Sequence, residues 1–86
     1  MKSAKEMFEK LGYEDFCGTL NYIKEYKDGR EIFIDFDIKR KKISKGRCGF
    51  AIYKMDSRDI EITLKELQAI NKQVEELGWI GSDKSE

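Results

Sequence analysis

The chain has no histidine and no proline among its 86 residues, and only two cysteines. Without histidine it lacks the side chain that most often moves protons near neutral pH and most often ligates metals. Without proline, and without any Gly/Ser-rich, low-complexity or repeated stretch, nothing divides the chain into separate units. Cys17 and Cys48 lie 31 positions apart, with no CxxC spacing and no histidine to complete a zinc site. Two such thiols in a chain without a secretory signal are expected to stay reduced, as they do in the cytoplasm. No apolar run approaches the roughly 20 residues of a membrane-spanning helix, so no membrane partner is expected. The opening MKSAKEMFEK is periodic and charged where a signal peptide would be apolar. An excess of either charge is also missing. Seventeen basic and seventeen acidic residues cancel, which argues against a generally cationic nucleic-acid protein.

What remains is 40% hydrophobic and 40% charged. That is enough for one thin core. A domain of this length buries about 60% of its unfolded surface and is expected to hold only a few kcal/mol of stability. The expected organisation is a single α+β domain over 1–81, followed by a short polar tail over 82–86.

Each end carries a helix start signal. Ser3-Ala4-Lys5-Glu6 is a capping box, and Ala4, Met7, Phe8 and Leu11 follow at helical spacing before a Gly12 stop. Thr63-Leu64-Lys65-Glu66 repeats the signature. There Leu64, Leu67, Ile70, Val74 and Leu77 predict one apolar stripe, Gly78 predicts the end, and Ile62 with Leu67 predicts a hydrophobic staple.

Between the helices the period falls to two. Ile32, Ile34, Phe36 and Ile38 alternate with Phe33, Asp35 and Asp37, as in a half-buried strand. Asp28-Gly29 suits a tight hairpin, which makes Thr19 to Tyr26 the partner strand. Phe50–Met55 and Arg58–Ile62 are expected as further strands. Lys41–Lys45 is a further candidate for pairing, with Lys45-Gly46-Arg47 as its turn. The expected fold is α-β-β-β(-β)-α, an antiparallel sheet of three or four strands with its helices mainly on one face.

Charge is where the sequence is most informative. Six of the nine residues from Lys39 to Arg47 are basic (Lys39, Arg40, Lys41, Lys42, Lys45, Arg47) and none is acidic. Elsewhere eleven bases face seventeen acids, so the neutral total conceals a dipolar molecule. Such a segment can meet phosphates or an acidic protein surface. It can equally be a solvated edge, because lysines on an edge strand block aggregation. No aromatic residue interrupts it, so it lacks the base-stacking platform of single-strand binders. Replacing Lys41, Lys42 and Lys45 with serine is expected to leave the fold intact.

Catalytic constellations are hard to assemble. Asp35 and Asp37 share one strand face, and Lys39 extends the row. With Asp28 as a remote acid, such a set would resemble the magnesium-binding element of metal-dependent nucleases. Asp28 falls in a turn, however, and the solvent side of any half-buried strand calls for the same alternating polar residues. No Ser/His or Cys/His pair, phosphate-loop glycine pattern or cofactor fingerprint is present. The chain is therefore expected to be non-enzymatic, with no catalytic, metal or cofactor residues.

Tyr13, Phe16, Tyr22, Tyr26, Phe33, Tyr53 and Trp79 are many aromatics for a thin domain, and two short helices cannot cover both faces of a sheet. Trp79 and Ile80 are expected to fold back on the last helical turn. Phe33, opposite the isoleucine stripe, is the candidate interface anchor.

Two stretches carry a resemblance. Ser3 to Tyr13 (SAKEMFEKLGY) and Ile62 to Gln73 (ITLKELQAINKQ), continuing to Leu77-Gly78-Trp79, resemble small uncharacterised proteins of phages and prophages of Gram-positive bacteria. The resemblance implies a strand-rich middle between two helical blocks, and a cytoplasmic accessory protein made in a bacterial host during infection or lysogeny. It supplies no site residues. In that context the expected function is a protein-binding module, with inhibition of a host defence system of the anti-CRISPR type as one form. The expected partner is a host protein or ribonucleoprotein. The alternative is a nucleic-acid-binding protein using Lys39 to Arg47. Self-association and weak nucleic-acid contact are also compatible with this reading.

Overall fold

Both helix signals are used as written. In a computed structural model that describes residues 2–79, α1 (Ala4–Lys10) begins at Ser3, whose Oγ accepts from the Glu6 amide while Glu6 accepts from the Ser3 amide. The second helix, α2 (Leu64–Glu76), starts with the same reciprocal pair between Thr63 and Glu66. Each ends on a left-handed glycine, Gly12 (φ +96°) and Gly78 (φ +77°). That conformation lets the Tyr13 and Trp79 amides reach back to the Phe8 and Val74 carbonyls. Trp79 indeed packs against the core, with its ring centroid 6.4 Å from that of Phe36. Ile80 and the 82–86 tail lie outside the described residues.

The sheet is a four-stranded antiparallel meander in chain order: β1 (Glu14–Asp15), β2 (Asn21–Glu25), β3 (Glu31–Asp37) and β4 (Lys42–Cys48). The protein is thus α+β. Asp28-Gly29 forms the β2–β3 turn, with Gly29 left-handed at φ +93° and Asp28 accepting from the Arg30 amide.

The next turn departs from expectation. It occupies residues 38–41, while Lys45-Gly46-Arg47 lies in the middle of β4. The Asp37 carboxylate fixes the turn by accepting from both the amide and the guanidinium of Arg40, each at 3.1 Å. Gly46 serves packing instead. A Cβ there would lie 2.6 Å from the Phe33 ring on its cross-strand partner.

The strands expected at Phe50–Met55 and Arg58–Ile62 do not form. Gly49, at φ +95° and with its missing Cβ only 2.5 Å from the Gly29 carbonyl, turns the chain off the sheet. Two 3-10 turns follow, Ile52–Lys54 and Ser57–Ile60, the second closed by reciprocal bonds between Asp56 and Asp59. They bury Ala51 and Met55 rather than extending the ladder.

Ile32, Ile34 and Phe36 face the helices and meet Phe8, Tyr13, Tyr22, Ala69, Ile70 and Val74. Ile38 does not join them. It lies past the end of β3 and is 57% exposed.

The α2 stripe is rotated from the one its leucines predict. Leu64 is 70% exposed and Leu67 44%, so the Ile62/Leu67 pair stays at the surface. The buried face keeps Ile70 and Val74 of the expected stripe, with Leu77 packed against the core, and adds Glu66, Ala69 and Gln73 in place of Leu64 and Leu67. Polar contacts to the sheet set this rotation. The Tyr13 hydroxyl donates to Glu66 (2.8 Å), and that of Tyr22 donates to Gln73 (2.6 Å). Each satisfies a group that burial would otherwise leave unpaired.

Burial, reinforced by Glu66, pushes the Tyr13 hydroxyl well above its ordinary value of 10.0. Burial and the carboxylates of Asp15, Glu76 and Glu9 push Tyr22 up to about 12. A raised pKa contributes stability that is present below pH 10 and lost as pH rises through the folded value. Tyrosinate absorbance is therefore expected to show two residues that ionise only with alkaline unfolding. Ionisation of Tyr13 and Tyr22 near pH 10, with the fold retained, would contradict the two buried hydroxyls.

Candidate interaction surface

Alternation along the strands and the cross-strand register leave one sheet face with no helix over it among the described residues. Four rows cross this open face: Asp37–Lys42; Asn21–Asp35–Ser44; Glu14–Ile23–Phe33–Gly46; and Glu25–Glu31–Cys48. Its centre is apolar, with Ile23 beside a half-buried Phe33 whose ring lies on Gly46. Its rim is acidic. Five carboxylates (Glu14, Glu25, Glu31, Asp35, Asp37) share it with one base, Lys42. Among the described residues only Asp37 of the five forms an ion pair, with Arg40.

The basic segment is divided between the two faces. Lys39, Arg40 and Lys41 occupy the exposed 38–41 turn, and Lys42 begins β4 on the open face. Arg40 is held by Asp37. Lys45 and Arg47 point to the helix side, opposite Ile34 and Ile32. The Lys45 side chain is only 6% exposed, and its Nζ donates to Glu66 (2.7 Å) and to the Glu61 carbonyl (2.6 Å). Arg47 donates to the Met55 carbonyl at 3.2 Å. Lys45 is therefore structural, and replacing it is not the surface change the sequence suggested. An inward-pointing charge on an edge strand also discourages pairing with another chain. Among the described residues Lys39, Lys41 and Lys42 form no ion pair and remain as one basic corner.

The acid–lysine row separates in the same way. Asp35 and Asp37 do share a face, but Lys39 has left the strand. Asp37 is committed to Arg40, whose amide and guanidinium hold its carboxyl below the usual range. Asp28 lies at the opposite end of β3, engaged by Arg30. These groups do not converge.

Phe33 lies on the open face, as its place in the alternation requires. Phe16, Phe50 and Tyr53 are all more exposed than Phe33. The residues that sequence reading passed over are Glu14, Glu25 and Glu31. A hairpin centred on Asp28-Gly29 would have set Glu25 against Ile32. The observed register centres on Asp28, with Tyr26 opposite Arg30, and this one-residue shift is what opposes Glu25 to Glu31. A cavity of about 480 Å³ opens at this corner, lined by Glu14, Asp15, Phe16, Ile23, Glu25 and Glu31 among others. Cys48 borders the row, its Sγ 3.6 Å from Glu31, and burial together with that carboxylate pushes the thiol up. No family model, curated protein or solved structure matches this chain.

Proposed function

We propose that the protein is a non-enzymatic protein-binding module, a phage or prophage accessory protein that acts on a bacterial host protein or ribonucleoprotein. Inhibition of a host defence system, of the anti-CRISPR type, is the specific form this reading takes. The observation that carries the binding role is the open sheet face, an apolar centre at Ile23 and Phe33 within a rim of largely unpaired charge. A buried apolar anchor with a polar rim is the usual anatomy of a protein interface. The phage context comes from the resemblance of the two helical blocks. The alternative, binding of nucleic acid, is favoured by the Lys39, Lys41, Lys42 corner alone, and five carboxylates beside it would repel a long duplex.

Affinity capture from lysogenic or infected cells tests the reading, using the wild type, Phe33→Ser, and a triple variant with serine at Lys39, Lys41 and Lys42. A discrete protein is expected to be retained after nuclease treatment and lost from Phe33→Ser while circular dichroism stays native. Capture that disappears with nuclease and with the triple variant, but survives Phe33→Ser, would establish the nucleic-acid role instead.

A further inference from the structure

We propose that the Glu14/Glu25/Glu31 corner of the open face receives arginine or lysine side chains, so that the partner presents a basic surface. This inference rests on the protein-binding reading and specifies its chemistry.

Three features of the corner agree. First, Glu25 and Glu31 are directly opposed across β2 and β3. Like charges in that position are unfavourable, and a cation between them removes the repulsion. Second, no cation lies within ion-pair distance of Glu14, Glu25 or Glu31 among the described residues, although the chain has as many bases as acids. Third, the carboxylates surround a cavity of about 480 Å³ rather than a flat surface, and Ile23 and the exposed Phe16 supply apolar and aromatic walls. An aliphatic stem can lie on such walls, and a guanidinium can stack on the Phe16 ring. The charge is complementary to a basic occupant, and an acidic one would be repelled by the three carboxylates.

The test uses the purified chain and the blocked peptide acetyl-Gly-Arg-Leu-Arg-Gly-amide, followed by amide chemical shifts. A second peptide with glutamate for arginine and a short oligonucleotide serve as comparisons. Shifts are expected to cluster at Glu14, Phe16, Ile23, Glu25 and Glu31 and to fade as salt rises. Affinity is expected to fall about tenfold or more in the Glu25→Gln/Glu31→Gln double variant, through loss of charge-assisted hydrogen bonds. That variant should melt no lower than the wild type, because it removes opposed like charges, so lost binding is not lost folding. The inference is overturned if the double variant keeps wild-type affinity, or if the glutamate peptide binds as well. It is also overturned if only the oligonucleotide binds, at Lys39 to Lys42. Failure here with nuclease-resistant capture intact would refute the basic partner alone, whereas nuclease-sensitive capture would refute the protein-binding reading itself.

Discussion

Lys45→Met is expected to remove most of the stability of the fold. Among the described residues the Lys45 ammonium is the only cation on Glu66, whose side chain is 9% exposed, and it also satisfies the Glu61 carbonyl. Methionine keeps the length of the side chain and removes the charge. It leaves a buried carboxylate with the Tyr13 hydroxyl and the Thr63 amide as its donors. Breaking one side of a buried ion pair costs about 3–5 kcal/mol. A domain of this size holds only a few kcal/mol in all, so that loss is most of it. Urea unfolding followed by Trp79 fluorescence should show the loss, and Glu66→Gln in the same background should restore part of it. A loss below about 1 kcal/mol would mean that the pair behaves as an exposed one.

The same pair sets the acid limb. Burial pushes the Glu66 carboxyl up, but Lys45, Tyr13 and the Thr63 amide outweigh it and hold the group below its ordinary 4.5. A depressed carboxylate contributes stability that is present above its unfolded value and lost as pH falls through the folded one. The wild type should therefore lose stability below about pH 4.5. The Lys45→Met deficit should shrink over that range, since protonation discharges the unpaired Glu66.

Phe8→Ala is expected to cost about 3–5 kcal/mol, the usual range for truncating a buried aromatic. Phe8 is fully buried, stacked on Tyr22 at 4.1 Å between centroids and edge-on to Tyr13 and Phe36. Helix α1 has seven residues, far short of the 12–15 at which an isolated helix becomes even marginally stable. Its helicity depends on this docking, helped by the Ala4 amide donating to Glu76 at 2.8 Å. Tyr13, whose amide closes the helix on the Phe8 carbonyl, should loosen with it. Urea unfolding gives the energy, and hydrogen exchange should show the α1 amides opening first. Phe8→Leu, which keeps most of the volume, should cost under about 2 kcal/mol. Equal losses from both variants would show that ring shape, rather than volume, holds the helix.

Elements specified by local chemistry were legible in the sequence. A capping box needs only residues three apart, a left-handed stop needs only a glycine, and a half-buried strand shows in its own alternation. The start of each helix, the Asp28-Gly29 turn and the inward face of β3 could therefore be read directly. The misread elements were those in which a distant partner outweighed a local preference. Phe50–Met55 has the β-branched and aromatic composition of a strand, yet Gly49 diverts it because its backbone packs on Gly29. Lys45-Gly46-Arg47 has the composition of a turn, but Gly46 is there to admit the Phe33 ring.

The same distinction governs the surface. Sequence alone determined that the chain is dipolar, with its bases gathered in one short segment, because charge along a chain can be counted without knowing the fold. Only the tertiary structure decided which of those charges are free. Alternation across β4 sends Lys45 and Arg47 to the helix side, where Glu66 and the Met55 carbonyl bind them, and leaves Lys42 on the other face. The β2–β3 register, one residue away from a two-residue Asp28-Gly29 turn, places Glu25 opposite Glu31. The rotation of α2, which buries Glu66 and Gln73 while exposing Leu64 and Leu67, follows from two tyrosine hydroxyls on the sheet. A buried hydrogen-bonding group must be satisfied wherever its partner stands in the chain, and that requirement is fixed in three dimensions.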